Sequence, residues 1–288
     1  VELQNASTGE AQSVVLFGKT YYNNDGAETF ARMRQLSESE TCLSGRLTLA
    51  QPLAYQPEIQ TLWQMGLPGV SLYEREADGS QFFALLESAA VSLAALHQTP
   101  ISCSRDVGIA DLLARFDEVE RMVAMLRPEL SSRLRSLLDR LRNQARQIDA
   151  RPTATLHGDL HLKNFFVTGQ KVALIDLDNL CVGDPLQELG SFIASLFYRS
   201  LAQKKPAELC RAMADVFVRA YSAASLQTIN RSILDWHVAA ALIAERAFRC
   251  VTRLKSDRPS LLEEVIALAD KLCTRKQFVS VPSFIQLF

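Results

Sequence analysis

The sequence lacks most of the features that mark a specialised class of protein. Its six cysteines stand far apart, with no Cys-x-x-Cys pair. This spacing argues against a zinc site and a disulfide scaffold, and it fits a reducing, cytoplasmic environment. No apolar run approaches the roughly 20 residues that span a bilayer. The formal net charge of −1 gives no overall attraction to polyanions. We therefore expect neither nucleic acid nor a membrane as a partner.

What the chain does have is enough apolar material for large cores. Hydrophobic residues make up 48% of its 288 residues and charged residues 22%, as in an ordinary globular protein. This length suits one large domain or two modest lobes. The chain starts with Val1 rather than Met. We therefore expect N-terminal residues to be missing, which leaves room for a removed targeting segment.

The first 75 residues contain short strand-like runs. After a turn-like stretch at 5–10, runs rich in β-branched and aromatic residues predict strands at 13–22, 46–55 and 59–67. Between the first two strands, apolar residues recur at helical spacing and predict a helix at 25–36.

From Ser80 onward, apolar residues recur mostly at helical spacing. The predicted helices lie at 80–98, 109–126, 128–148, 186–201, 206–224, 234–254 and 260–273. Six arginines fall within 127–146. We interpret them as a solvated helix face rather than a basic groove, because Glu129 and Asp139 interrupt them and a leucine stripe lies beside them.

The segment 154–185 breaks this helical pattern. Two short apolar runs at 165–167 and 172–177 flank a Thr-Gly-Gln-Lys turn, which predicts a β-hairpin embedded among helices. Polar side chains stand at the ends of this hairpin. Polar groups held on a rigid scaffold are a common way to build a site.

Three of these polar residues have the spacing of a phosphoryl-transfer site. Asn164 follows Asp159 after four intervening residues, and Asp176 comes twelve residues after Asn164. Mg²⁺ prefers oxygen ligands, often one or two carboxylates plus substrate phosphates. Asn164 and Asp176 flank one predicted hairpin, so both can reach the same ion. Asp159 would then be free to orient a hydroxyl group and accept its proton.

The ordered motifs resemble those of the aminoglycoside phosphotransferase family, small-molecule kinases with a protein-kinase-like fold. The matching positions are His157–Asp159, Asn164, Ile175–Asp176 and Gly183–Pro185. The resemblance implies that Asp159 is the catalytic base and that Asn164 and Asp176 hold Mg²⁺. It also implies that Asp178 adds a second metal contact.

The same resemblance implies supporting roles in the loop. His157 would buttress the catalytic loop through hydrogen bonds, and Asp184 would be structural. Protein kinases carry Arg at the position of Gly158, where it pairs with a phosphorylated activation loop. The glycine, together with the lack of an Ala-Pro-Glu segment, argues against a protein kinase.

The resemblance also assigns nucleotide-binding residues in the first part of the chain. Lys19 ends a β-like run and would pair with ATP phosphates and with a helix carboxylate, for which Glu28 is the candidate. Backbone groups of Met65 and Leu67 would hydrogen-bond adenine. No glycine-rich phosphate loop is visible before Lys19.

A second resemblance points elsewhere. The sequence Gly-Asp-Leu-His at 158–161 is similar to the metal-binding Gly-Asp-x-His of metallophosphoesterases. That chemistry needs further histidines, and the remaining ones, His97 and His237, fall in helical stretches. A metal-dependent hydrolase is therefore the minor alternative.

The expected architecture is an α+β, protein-kinase-like fold. A strand-rich nucleotide-binding lobe, truncated at its start, would occupy residues 1–67, and a mainly helical lobe would occupy 68–288. The expected function is transfer of the γ-phosphate of Mg-ATP to a hydroxyl of an aminoglycoside, sugar or amino alcohol. The competing expectation is a non-catalytic nucleotide-binding protein of the same fold, because the phosphate loop is not visible.

Overall fold

The computed structural model describes residues 2–4, 11–13, 15–23, 25–149, 151–253 and 258–274. One sequence expectation, the turn at 5–10, lies outside these residues.

Contacts between residues group the chain into two compact units, each made of two separate segments. The first comprises Val1–Arg105 and His157–Cys181, and the second comprises Asp106–Leu156 and Val182–Phe288. This grouping divides the chain at other positions than the expected lobe boundary after residue 67. That boundary stays a prediction.

Among its described residues, the first unit contains three small antiparallel sheets. Its strands are β1 (Glu2–Gln4), β2 (Ala11–Ser13), β3 (Leu16–Thr20), β4 (Pro52–Gln56), β5 (Thr61–Met65), β6 (Val70–Ser71), β9 (Phe165–Thr168) and β10 (Lys171–Leu174). Strand β1 pairs with β2, β5 lies between β3 and β4, and β9 lies between β10 and β6. The predicted hairpin is confirmed, since β9 and β10 pair in register from Thr168 and Lys171.

The described part of the first unit also has the helices α1 (Asp25–Ser37), α2 (Glu40–Leu43) and α3 (Ser80–His97). The predicted helices at 25–36 and 80–98 are thus confirmed. Helix α3 packs against β10, where the Ser92 hydroxyl donates to the Val172 carbonyl at 3.0 Å. The core between helices and sheets contains side chains with almost no exposure, such as Leu36, Phe82 and Phe165.

The second unit is mainly helical. Its helices are α4 (Ile109–Leu126), α5 (Ser131–Ala145), α6 (Pro185–Gln203), α7 (Ala207–Ser225), α8 (Arg231–Ala241), α9 (Phe248–Thr252) and α10 (Arg258–Thr274), with a π-helix at Leu242–Ala247 between α8 and α9. A small sheet places β11 (Cys181–Gly183) between β7 (Asp106–Val107) and β8 (Ala154–Leu156). The helical segments expected after residue 105 are confirmed.

Close helix packing and aromatic contacts form the core of the second unit. Helix α6 lies against α8 at Gly190, where a larger side chain would overlap the backbone of His237. The rings of Phe192 and Phe217 lie 4.2 Å apart. The Trp236 indole donates to the Leu141 carbonyl at 3.0 Å and satisfies its buried N–H.

The arginines of 127–146 make ion pairs on the surface of the second unit. Arg142 contacts Asp117 at 2.6 Å and Glu120 at 3.2 Å, while Arg135 contacts Glu120 at 3.0 Å. Leu134 on the opposite side of α5 is fully buried. This arrangement agrees with a solvated helix face. Separately, none of the described helices has the length and apolar character that a bilayer crossing requires.

Candidate active site

An ion cluster joins β3 to the turn that follows β10. The ammonium group of Lys19 contacts Asp176 Oδ1 at 2.6 Å and also pairs with Asp178 Oδ2. Two residues beyond Lys19, the Tyr21 hydroxyl donates to Asp178 Oδ1 at 2.6 Å. Residues separated by about 157 positions in the chain therefore meet within the first unit.

The charges of this cluster reinforce one another. Partial burial disfavours the charged form of Lys19, but hydrogen bonds and charges from Asp176 and Asp178 outweigh this and raise the pKa of the amine above its usual value. Lys19 is therefore a cation at neutral pH, as a phosphate-binding lysine must be. Burial, and then the hydrogen bond to Asp178, raise the pKa of the Tyr21 phenol, which stays a protonated donor.

The backbone at Asp176 directs its side chain. Asp176 has φ 62° and ψ 52°, in the left-handed region that few residues other than glycine, Asn and Asp adopt readily. This conformation ends β10 abruptly and starts the short 3₁₀ turn Leu177–Asn179. The Asp176 side chain is 44% exposed, and no donor from the described residues reaches its second carboxylate oxygen.

The loop that carries Asp159 is held to the same turn by Asn164. The Asn164 side-chain amide donates to the Asp159 carbonyl at 2.9 Å, which closes the loop between them. The Asn164 carbonyl accepts from the Ile175 amide at 3.0 Å, one residue before Asp176. The structure therefore brings the Asp159 loop, Asn164 and Asp176 together. The half-buried Asp159 carboxylate accepts no hydrogen bond from the described part of the chain.

His157 and Gly158 fix the start of the loop. The fully buried His157 ring is 2.8 Å from the Ile175 carbonyl through Nε2, and its buttress role stays a prediction. Gly158 has φ +81°, and a Cβ atom there would overlap the Asn179 carbonyl. The loop and the turn after Asp176 are thus in direct contact, and the position occupied by Arg in protein kinases has no room for a side chain.

The expected partner of Lys19 is not brought to it. Glu28 lies on α1, where its carboxylate pairs with Arg32 Nη2 at 2.5 Å, one helical turn away. The same guanidinium reaches the Leu180 carbonyl at 3.5 Å. In the described structure, the carboxylates paired with Lys19 are Asp176 and Asp178. Glu28 instead pairs with Arg32 on its own helix.

The candidate adenine contacts lie at the end of β5. The Met65 amide already donates to the Gln51 carbonyl at 2.9 Å, so a nucleobase contact at Met65 would have to use its carbonyl. The next amide, at Gly66, donates to the Val15 carbonyl at 2.7 Å. Leu67 follows directly after the strand. The roles of Met65 and Leu67 stay predictions.

Asp184 belongs to the second unit and caps helix α6. Its carboxylate accepts from the Leu186 amide at 2.8 Å, with Arg151 at 3.5 Å and the buried His237 at 3.7 Å. Burial acts to raise the pKa of Asp184, but His237, the Leu186 amide and Arg151 outweigh it and lower the pKa below its usual value. These contacts agree with the predicted structural role.

The donor set in the first unit fits a hard divalent cation with few protein ligands. Asp176 offers an unengaged carboxylate oxygen, and Asn164 keeps its side-chain oxygen because its amide nitrogen is the group bonded to Asp159. No cluster of three or more His, Cys, Asp or Glu side chains suited to a metal occurs among the described residues. Mg²⁺ commonly has one or two protein ligands plus water and phosphates, so the set fits this ion.

The sequence did not predict the part of Tyr21 in this ion cluster, nor the exposed position of Phe17 two residues before Lys19. Phe17 and Tyr21 flank Lys19 at a spacing of two, and side chains at that spacing share one face of a strand. Phe17 is 55% exposed, while Tyr21 is half-buried in the ion cluster. The alternation around Lys19 was the signal that could have identified them.

Comparisons with known proteins agree with this geometry. The model of the phosphotransferase enzyme family matches residues 22–242, which is most of the chain. No curated protein sequence matches the chain closely enough to count as a relative.

Among solved structures, a choline/ethanolamine kinase family protein from Mesorhizobium loti is 17% identical, with a TM-score of 0.61 over 93% of this chain and 85% of that one. An AMP-bound spectinomycin phosphotransferase is 11% identical, with a TM-score of 0.63 over 93% and 90%. An amicoumacin kinase with AMP-PNP and Ca²⁺ is 12% identical, with a TM-score of 0.59 over 93% and 84%.

At these identities the structural likeness establishes the fold alone, and it confirms the predicted α+β, protein-kinase-like class. The family match covers both the loop at Asp159 and the turn at Asp176. It favours phosphoryl transfer over metal-dependent hydrolysis, the minor alternative. The chain belongs to the phosphotransferase enzyme family, and its enzymatic class is a small-molecule phosphotransferase with a hydroxyl acceptor.

Proposed function

We propose that the protein transfers the γ-phosphoryl group of Mg-ATP to a hydroxyl group of a small molecule. The observation that carries the proposal is the convergence of Lys19, Asp176 and the Asp159 loop within one compact unit. The lysine, the candidate metal ligands and the candidate base of a phosphoryl-transfer site are thereby connected by direct contacts.

Each group has a role that follows from its chemistry. The cation Lys19 neutralises phosphate charge, and Asn164 and Asp176 are the residues that would hold Mg²⁺. Bound there, Mg²⁺ would supply charge neutralisation on the phosphates. Asp159 orients the acceptor hydroxyl and receives its proton. Most of the rate enhancement in such a site comes from positioning and electrostatics, because the protein forms no covalent bond to the phosphoryl group.

The exposed ring of Phe17 adds a surface for the nucleotide. It lies on the strand face that carries Lys19. It is two residues closer to the candidate adenine contacts Met65 and Leu67, since Leu16 pairs with Met65. A flat apolar ring at this place suits a nucleobase, whereas Lys19 suits phosphates. We propose that the base contacts Phe17 and the carbonyl of Met65 or backbone groups of Leu67.

The acceptor belongs to the hydroxyl compounds that such kinases take, and solved neighbours suggest which to test. One neighbour is described as a choline/ethanolamine kinase family protein, another as a spectinomycin phosphotransferase and another as a glucosamine kinase. We propose an amine-bearing alcohol or sugar of this kind. Location in the cytoplasm, where ATP is abundant, is part of the proposal.

ATP consumption measured across choline, glucosamine, spectinomycin and homoserine tests the proposal. We expect one compound class to stimulate turnover, and we expect Asp159→Ala to lower that turnover by about 10²–10⁴-fold because the base is lost. Turnover of Asp159→Ala near the wild-type value would contradict the assignment. Nucleotide binding without turnover on any hydroxyl compound would instead favour a non-catalytic nucleotide-binding protein.

A further inference from the structure

We propose that Tyr21 is a positioning residue that fixes Asp178 as the permanent counter-ion of Lys19. This inference rests on the proposed function, in which Lys19 binds ATP phosphates. It assigns Asp178 to the lysine instead of to the metal, and it gives the helix carboxylate Glu28 no part in holding Lys19.

The two carboxylates near Lys19 differ in how completely protein donors engage them. Asp178 uses both oxygens, Oδ1 for the Tyr21 hydroxyl at 2.6 Å and Oδ2 for Lys19. Asp176 uses only Oδ1 for Lys19 among the described contacts and is more exposed, at 44% against 24% for Asp178. Asp176 therefore has an oxygen with no donor from the described residues, whereas each oxygen of Asp178 already has one.

Tyr21 is itself held firmly enough to position a partner. Its backbone amide donates to the Gln60 carbonyl at 2.9 Å. Its ring packs on Gly26 at the start of α1, where any Cβ atom would overlap the ring. A tyrosine fixed through its backbone and its ring presents its hydroxyl at a defined point. Moreover, its ring centre lies 5.9 Å from the Lys19 ammonium, within cation–π range.

Glu28 is not available as an alternative partner in this arrangement. Its carboxylate pairs with Arg32 at 2.5 Å, and Arg32 also reaches the Leu180 carbonyl at 3.5 Å. The arginine thus connects α1 to the turn that carries Asp178. Helix α1 contributes to the site through Arg32 and through the packing of Gly26 on Tyr21, instead of through a carboxylate on Lys19.

This division of labour has a consequence for catalysis. Asp176 can exchange Lys19 for another cationic partner, and Lys19 still keeps one carboxylate that Tyr21 holds in place. The lysine ammonium then stays in position for the phosphates. Without Tyr21, one oxygen of Asp178 loses its donor, and the carboxylate and Lys19 can move together.

A double-mutant cycle with Tyr21→Phe and Asp178→Asn tests the proposal, with binding of a fluorescent ATP analogue as the first readout and KM for ATP as the second. We expect each single variant to weaken nucleotide binding by roughly three- to tenfold, the scale of one charge-assisted hydrogen bond in a partly exposed site. We expect the double variant to lose no more than Asp178→Asn alone, because both act through one contact. KM for the acceptor should stay unchanged.

The matched control is Tyr22→Phe, since Tyr22 is the neighbouring tyrosine and is fully exposed. Melting temperatures of all variants identify any that fail to fold. If Tyr21→Phe or the double variant does not fold, the test is the comparison of nucleotide binding by Asp178→Asn and by Glu28→Gln. Any of three results would overturn the proposal. Tyr21→Phe could bind nucleotide as tightly as the wild type, or the losses in the double variant could be additive. Alternatively, Glu28→Gln could weaken binding as much as Asp178→Asn. Lys19→Met distinguishes a failure of this inference from a failure of the proposed function. If Lys19→Met binds nucleotide normally, the proposed role of Lys19 itself fails.

Discussion

Gly158 lets the loop of Asp159 lie close to the turn that follows Asp176. Its φ of +81° places it in the left-handed region. A side chain there would overlap the Asn179 carbonyl, which belongs to the turn that carries Asp178. The loop holding Asp159 and the turn holding Asp176 can approach this closely only because no Cβ atom separates them. The glycine is therefore required by packing, and the lack of an arginine at this position follows from it.

We expect Gly158→Ala to destabilise the protein and to lower its turnover. The effect should exceed that of the left-handed backbone conformation alone. The left-handed conformation costs an alanine roughly 1–2 kcal/mol, and the overlap with Asn179 adds displacement of the catalytic loop. Gly169→Ala is the matched control, since Gly169 has φ +60° in the β9–β10 turn but open space around it. Urea unfolding and kcat of both variants measure the difference.

Equal losses of stability in Gly158→Ala and Gly169→Ala, together with equal turnover, would show that backbone strain, and not contact with the turn, explains the glycine. A loss of turnover confined to Gly158→Ala at equal stability would still support the contact. In this way the two glycines separate conformational cost from close packing.

The residues that sequence alone could place are those whose spacing is local. Asp159 and Asn164 lie in one loop, and Asp176 follows the hairpin, so their proximity could be predicted from the order of the motifs. The partner of Lys19 could not, because Asp178 approaches it from about 160 positions further along the chain. Similarly, whether Asp178 or Glu28 pairs with Lys19 depends on Arg32, because Arg32 forms an ion pair with Glu28.

At the scale of elements, α6 begins with a cap that also carries charge. Asp184 accepts from the Leu186 amide, Pro185 occupies the first helical position, and Arg151 and His237 lie close to the carboxylate. The cap satisfies one of the free amides at the start of the helix. Because α6 packs against α7 and α8, this end helps to hold the second unit together.

We expect Asp184→Ala to cost about 1 kcal/mol from the lost cap, and more if Arg151 is left unpaired. Asp184→Asn should retain the cap and lose only the charge. The pKa of Asp184 is lowered in the folded state, so its charge stabilises the fold above the ordinary Asp pKa, and this is lost as pH falls through the lowered pKa. The gap between wild type and Asp184→Asn should therefore be largest near neutral pH and shrink below about pH 4.

Unfolding free energies at several pH values check this expectation. A gap that stays constant from neutral to acidic pH would contradict the role of the charge. Equal stability of Asp184→Ala and Asp184→Asn at neutral pH would contradict the role of the cap.

At the scale of the whole molecule, each compact unit joins segments that are distant in the sequence. The first unit takes in α3 and the segment His157–Cys181, because β10 packs on α3 and Leu174 bonds to Thr48. Such contacts join segments that are distant in sequence, and no local composition marks them. A boundary drawn at residue 67 follows the change from strand-like to helical patterns, whereas the contacts follow packing.

This grouping places Lys19, Asp176 and the Asp159 loop in one unit, so we expect a bound nucleotide to stabilise the folded chain. Comparing this stabilisation between variants should separate the roles of Asp159 and Asp176. Free AMP-PNP with Mg²⁺ at one hundred times its Kd should add about 2.7 kcal/mol by mass action and raise the melting temperature by several degrees. Asp159→Ala should keep this shift, because the base does not hold the nucleotide. Asp176→Ala should lose its Mg²⁺-dependent part, because the candidate metal ligand is gone. A full shift in Asp176→Ala, or none in the wild type, would show that the nucleotide is not bound through this cluster.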